Sequence, residues 1–230
     1  MLFQKEIFRI AQEFGLQYRG RRYPYLKTSS RNIIMRCILG GCPDPLYKKF
    51  GNTLVKNRPK ALIKYLSSPY FKKELHGRHG CVISKEELNT ELKLVAHISD
   101  LRIRKEMQAF YDRVLQKIGK NKRLTIIWTP RDNEQNHFKE ILLHEFIHEL
   151  IDDNCLRPDS WKWNEGLVTY ITRYALRTHK VFEKKPSLGK DKMTNIYMQY
   201  THKWALLFKK THNSLERRKC IENLLRSLKK

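Results

Sequence analysis

The chain has 230 residues, 40% of them hydrophobic, enough for one sizeable core or for one domain with substantial extensions. No stretch approaches twenty uninterrupted apolar residues, and Met1-Leu2-Phe3-Gln4-Lys5-Glu6 lacks the basic, apolar and small-residue order of an export signal. The expectation is a protein with no membrane span and no export. The formal net charge is +24, from 47 Lys+Arg against 23 Asp+Glu, and it is unevenly placed. Residues 1–83 carry 17 Lys+Arg against 4 Asp+Glu, residues 84–175 carry 15 against 15, and residues 176–230 carry 15 against 4. Two basic flanks around a neutral segment suit polyanions or acidic substrates, and equally suit lysine-rich helix surfaces in water. The five cysteines, Cys37, Cys42, Cys81, Cys155 and Cys220, are odd in number and scattered, the pattern of free thiols in a reducing, cytoplasmic compartment.

Taken in order, residues 2–14 repeat apolar side chains at Phe3, Ile7, Ile10 and Phe14, a helical period that stops at Gly15. Tyr18, Arg19, Arg21, Arg22, Tyr23 and Tyr25 interleave basic and stacking groups. Single-stranded nucleic acid could use such a stretch; an amphipathic loop is the plainer reading. Residues 32–39 are apolar enough to be buried, and Gly40-Gly41-Cys42-Pro43-Asp44-Pro45 breaks the chain. Cys42 beside Pro43-Asp44 invites comparison with a cysteine switch but matches its motif poorly. Residues 46–75 read as short basic helices. His76 and His79, flanked by glycines, read as a turn into Cys81-Val82-Ile83 rather than as a second metal site.

Residues 85–97 and 100–118 have helical patterns, with His97 expected on an apolar face as a core histidine. Residues 124–128 are β-branched and aromatic, bounded by Lys122-Arg123 and Thr129-Pro130, and read as a strand. A helix over 133–151 follows, then a turn through Asp152-Asp153-Asn154 and Arg157-Pro158. The next helix opens near Ser160 and carries Trp161, Leu167, Val168, Ile171 and Ala175 on its apolar side. A basic connection over 177–192 leads to a helix over 195–209. A basic amphipathic helix over 215–230 ends the chain.

The chemistry is concentrated in His144-Glu145-Phe146-Ile147-His148 and in Asn164-Glu165-Gly166, sixteen residues on. On a helix, His144 and His148 are one turn apart on one face and can offer two imidazole nitrogens to one ion. Glu145 then stands beside that ion, where a carboxylate can deprotonate a water held there. A catalytic site usually needs a third protein ligand, and Glu165, on a second helix packed against the first, is the candidate. Glu149 and Asp152 are weaker rivals, because ligands strung along one straight helix cannot surround an ion; they are expected to be solvated or to cap the helix. Tyr170, Tyr174, Tyr197, Tyr200, His202 and Trp204 compete for a hydrogen bond to a developing oxyanion, with packing the plainer role for each.

His-Glu-Phe-Ile-His followed by Trp-Asn-Glu-Gly-Leu-Val-Thr-Tyr resembles the gluzincin group of zinc peptidases, the second segment being similar to the aminopeptidase N branch. The short length is similar to that of the minigluzincins. The resemblance covers roughly residues 124–175. It implies zinc held by His144, His148 and Glu165, with Glu145 as general base. It also implies that the strand over 124–128 is a sheet edge that pairs with an extended peptide. Thermolysin-like members place an aspartate four residues after the ligand glutamate; this chain has Thr169 there.

The expectation is therefore an α+β, helix-rich, zincin-like zinc metallopeptidase domain with a small sheet and basic helical extensions. Its segments are a basic N-terminal region (1–83), the peptidase domain (84–210) and a basic C-terminal helix (211–230). The substrate is a peptide or protein, the extensions are candidates for a latency device, and nucleic acid or another polyanion is a candidate partner of the flanks. The alternative is a nucleic-acid-binding protein with a structural or vestigial zinc site, or a peptidase recruited to nucleic acid.

Overall fold

The computed structural model describes residues 3–20, 23–29, 32, 35–36, 80–98, 100–127, 135–184 and 192–228. Over these residues the chain is helix-rich with one small three-stranded sheet, an α+β arrangement. None of the described helices is long and apolar enough to cross a membrane. The chain divides into two compact units, one formed by Met1–Arg22 with Leu143–Lys230, the other by Tyr23–Leu142.

In the Tyr23–Leu142 unit, strands β1 (Tyr25–Lys27), β2 (Gly80–Ser84) and β3 (Arg123–Ile127) form a sheet in the order β1-β3-β2. β3 is parallel to β1, with Leu26 opposite Ile126, and antiparallel to β2, with Val82 opposite Thr125. The strand expected as an edge is thus the central one, with both of its sides paired. Leu124, Thr125, Ile126 and Ile127 are all buried, as a strand covered on both faces requires, so its backbone has no free side for an added peptide. Tyr25 opens β1 rather than lying in a loop.

Helices α2 (Lys85–Ala96) and α3 (Leu101–Ile118) pack in the same unit. α2 starts at a capping box: the Ser84 hydroxyl accepts from the Glu87 amide at 3.1 Å, and the Glu87 carboxylate accepts from the Ser84 amide at 2.8 Å. Asp100 caps α3 by accepting from the amides of Arg102 and Ile103. Val95, Ile103, Met107, Phe110, Val114 and Ile118 meet Leu124 and Ile126 in one core. Inside it lies a polar triad. Arg36 Nε donates to Glu91 at 3.2 Å and the Tyr111 hydroxyl donates to the same carboxylate at 2.6 Å. Burial pushes the Glu91 carboxyl up, with Arg36 and the Tyr111 hydrogen bond pulling it back.

His97 is exposed at the C-terminus of α2, where its amide donates to the Leu94 carbonyl and the Ile98 amide to that of Val95; the apolar face is filled by Val95 and Ile98 instead. Asn32, Met35 and Arg36 are buried, in line with a buried segment there, and the other residues of 32–39 lie outside the described residues. So do Arg21, Arg22, the break at 40–45 with Cys42, the basic helices over 46–75, the pair His76 and His79, and Trp128.

The other unit is helical, with α1 (Gln4–Glu13), α5 (Trp161–Ala175), α6 (Lys192–Phe208) and α7 (Ser214–Leu228) joined to the end of α4 (Gln135–Asp153), and a short 3-10 turn at His179–Glu183. Phe14, fully buried at the end of α1, meets Tyr174 and Phe208 edge-on at 5.2 and 5.3 Å. α7 is tied to the turn after α1. Arg217 donates to the Glu13 carbonyl at 3.1 Å and lies over the Phe14 ring, and Arg218 donates to the Gly15 carbonyl at 3.0 Å. Gly15 has φ +65, and a Cβ there would stand 2.7 Å from the Ser214 carbonyl oxygen, so this turn requires glycine twice over.

Candidate metal centre

From residue 141 to residue 151 every side chain of α4 is buried except His144 and His148. Ile141, Leu142, Leu143, Phe146, Ile147, Leu150 and Ile151 hold the helix on nearly all sides, which leaves the two histidines on the one stripe that reaches solvent. The helix ends in a Schellman turn. Cys155 takes a left-handed φ of 55, its amide bonds the Asp152 carbonyl at 3.0 Å, and the Leu156 amide bonds the Ile151 carbonyl at 3.1 Å. Asn154 locks the turn by donating to the Leu150 carbonyl and by exchanging two hydrogen bonds with the backbone of Gln17. The chain can therefore re-enter a helix at Trp161, with Ser160 in extended backbone just before it.

α5 brings Glu165 to the two histidines. His144 Nε2 and Glu165 Oε2 are 3.3 Å apart, His148 Nε2 and Glu165 Oε1 3.4 Å, and the two Nε2 atoms 3.2 Å. Ligand atoms about 2.0–2.1 Å from a tetrahedral ion stand roughly 3.3 Å from one another, which is close to the separation of the two Nε2 atoms, while Glu165 approaches the two histidines with different carboxylate oxygens; one ligand atom from each of the three lies within 4.8 Å of the others. Two imidazoles and one carboxylate suit a first-row divalent ion, and three ligands leave such an ion one position for water or substrate. The three side chains are 23%, 15% and 24% exposed, so the centre is open to small molecules.

The three side chains set one another's charge. Burial acts to raise the Glu165 carboxyl, but hydrogen bonds from His144 and His148 and their charge outweigh it and hold it well below the usual carboxylate range. Burial acts to lower His148, and the Glu165 hydrogen bond with the charges of Glu165 and Glu145 raises it instead. Glu145 is 9% exposed; burial pushes its carboxyl up, and His148 and His144 partly offset this.

One residue that the sequence reading passed over stands against the centre. Asn164 is buried, its side-chain amide lies 3.4 Å from His148 Nδ1, and its Oδ1 has no partner. Turned by half a revolution, the amide would set Oδ1 to accept the Nδ1 proton. That fixes the tautomer whose Nε2 lone pair faces a metal, the arrangement that orients metal-bound histidines generally. Its position, one before Glu165 on the same helix, was the available signal.

The rivals fall elsewhere. Asp152 is paired with Arg157 at 3.3 Å, and Glu149 is buried rather than solvated, because it projects from the packed side of α4. Among the groups considered for the oxyanion, Tyr170 is buried and stacked on Phe208, with burial pushing its hydroxyl up to about 12. Tyr174 takes a hydrogen bond from Arg217, and His202 Nδ1 faces the Phe182 carbonyl at 2.6 Å. Tyr200 packs on Trp163 and Gly166, and Tyr197 meets Trp161. Compared with known protein families, curated proteins and solved structures, the chain matches none.

Proposed function

We propose that the chain is a zinc-dependent metallopeptidase of zincin-like, gluzincin type, acting on peptides or proteins. The observation that carries this reading is the triangle of His144, His148 and Glu165 with the buried Glu145 next in sequence to one of its corners. Zinc held by those three side chains would supply a Lewis acid that polarises the scissile carbonyl and acidifies a water. Glu145 accepts the proton of the attacking water and later delivers it to the departing amine nitrogen. A carboxyl raised by burial takes up a proton more readily than an exposed glutamate, which suits it to accept the water's proton. Asn164 keeps the His148 ring in register, and Glu165, anionic in this setting, balances the charge of a divalent ion. A structural zinc site has no use for a buried carboxyl beside its ligands, which favours the catalytic reading over the vestigial one.

A cytoplasmic setting belongs to the proposal and is supported by the three cysteines among the described residues, Cys81, Cys155 and Cys220, none of which is joined in a disulfide. The excess of 47 Lys+Arg over 23 Asp+Glu favours, as a second reading, a peptidase held near nucleic acid, for which a steeply salt-dependent affinity is the test. The central experiment is Glu145→Gln. It is expected to retain the metal and to lose hydrolysis of a mixed peptide library by at least about a hundredfold. An undiminished rate would remove Glu145 from the mechanism.

A further inference from the structure

Helices α6 and α7 follow one another through the turn at 209–213. The Lys209 amide donates to the Ala205 carbonyl at 2.9 Å and the Thr211 amide to that of Phe208 at 3.0 Å, which ends α6. α7 opens at once on a reciprocal cap. The Asn213 side-chain oxygen accepts from the Glu216 amide at 2.9 Å, and the Glu216 carboxylate accepts from the His212 amide at 2.6 Å and from the Asn213 side chain at 2.8 Å. Glu222 accepts from Arg218 at 2.8 Å. Residues 199–228 contain no other acid, and both of these are half-buried and engaged within the helix pair.

Lys203, Lys209, Lys210, Lys219 and Arg226 are exposed. The outer surface of α6 and α7 over 199–228 therefore carries cations and no exposed carboxylate. Helices that merely face water are built otherwise in this chain: on α2 and α3, Lys85 stands exposed beside Glu86 and Glu87, and Arg113 beside Asp112. Cations without counter-charge repel one another, and an outside polyanion relieves that repulsion. Lys203 and Lys210 are seven residues apart on α6, as are Lys219 and Arg226 on α7, which is about 10 Å along each helix. One strand of a duplex offers a phosphate about every 3.4 Å, so each pair spans roughly three of them.

The same surface selects among polyanions. Single strands are gripped by stacking on open aromatic rings, but Trp204 and Phe208 are buried and Tyr200 lies under the Lys203 ammonium at 4.3 Å. A lipid surface needs a continuous apolar face beside the cations, but Ile221 of α7 is buried and the exposed Leu206 and Leu215 stand on different helices. A duplex held by its phosphates needs neither.

We propose that the exposed basic surface of α6 and α7 docks a nucleic-acid duplex through its phosphate backbone, without reading base sequence. The assignment rests on the second reading above, in which the chain meets nucleic acid, and supplies the surface and the form of nucleic acid.

The test follows fluorescence anisotropy of labelled DNA and RNA duplexes of about twenty base pairs, and of the matching single strands, with the full chain over a range of salt. Sedimentation with phosphatidylserine vesicles runs beside it. One variant combines Lys209→Gln, Lys210→Gln, Lys219→Gln and Arg226→Gln. A control removes the same charge from exposed positions of α2 and α3, by Lys93→Gln, Lys105→Gln, Arg113→Gln and Lys117→Gln. Fold is checked by circular dichroism, and Lys209→Gln with Lys210→Gln, and Lys219→Gln with Arg226→Gln, are also measured as separate pairs. Both duplexes are expected to bind with an affinity that falls steeply with salt. The slope of log affinity on log salt should flatten by about three to four in the first variant, by about half of that in each pair, and by less than about one in the control. Equal losses in variant and control, or no loss in the variant, would overturn this surface and leave binding to nucleic acid standing. Single strands bound more tightly than duplexes would overturn the duplex. Absence of any nucleic-acid binding would overturn the surface and the reading beneath it together, and capture by the vesicles in its place would mark a lipid surface instead.

Discussion

Gly166 is the residue whose replacement most directly couples packing to the metal centre. A Cβ built there would stand 2.7 Å from Tyr200 Cβ, 2.8 Å from its carbonyl carbon and 3.0 Å from its carbonyl oxygen. Carbon atoms in contact keep about 3.5–4.0 Å, so α5 and α6 would have to part by roughly 1 Å, and neither backbone nor Cβ atoms can rotate out of the way. Alanine is the better helix former by about 1 kcal/mol, whereas overpacking a close contact costs about 1–3 kcal/mol, toward the upper end where nothing yields. The balance for Gly166→Ala is a loss of about 2 kcal/mol. Because Glu165 is the preceding residue, the same displacement draws its carboxylate away from His144 and His148, which it meets at 3.3 and 3.4 Å, and metal affinity should fall by about tenfold or more. Urea unfolding of the metal-free chain reads the first effect, and competition with a chelator of known affinity reads the second. A Gly166→Ala protein as stable as its parent, with equal affinity, would refute the reasoning, since helix propensity would then have outweighed the contact.

Two further predictions concern the frame around the centre. Burial raises the Glu91 carboxyl, so the folded state holds that proton more tightly than the unfolded chain; the stability this contributes is present below about pH 4.5 and is lost as pH rises through the raised value. Wild type should therefore lose stability relative to Glu91→Gln between pH 4 and pH 7 in parallel urea titrations, and a constant difference would show that Glu91 does not titrate in that range. Ile221 of α7 is fully buried, so Ile221→Ala should cost about 2–5 kcal/mol in the same assay. Deleting residues 211–230 also removes the Arg217 and Arg218 anchors and should destabilise the chain without activating it. Faster peptide hydrolysis by a deletion variant of undiminished stability would instead mark α7 as a removable lid.

What was legible in the sequence was what depends on near neighbours. The spacing of His144 and His148 is a property of one helix. Gly15 acts within a turn of where it stands, and the helices over 85–97 and 100–118 follow from apolar period alone. Glu165 was legible because the Schellman turn at Cys155 and the restart at Trp161 return the chain to α4 within a few residues. What depends on distant partners was not. The run from Leu124 to Ile127 has the same pattern whether its sides are paired or open, and only β1 and β2 make it central. Glu91 looks like any glutamate on a charged helix until Arg36, 55 residues away, and Tyr111 enclose it. Glu149 directly follows His148, yet the packed side of α4 claims it. The division between the two units falls inside α4, where no change in composition announces it.

The central claim is that His144, His148 and Glu165 hold a metal ion together. Elemental analysis of the purified full chain, wild type beside Glu165→Ala, tests it most directly. The account predicts about one zinc per chain in the wild type and its loss in the variant, with the variant still folded by circular dichroism. A wild type without metal, or a Glu165→Ala protein that retains it in full, would contradict the account.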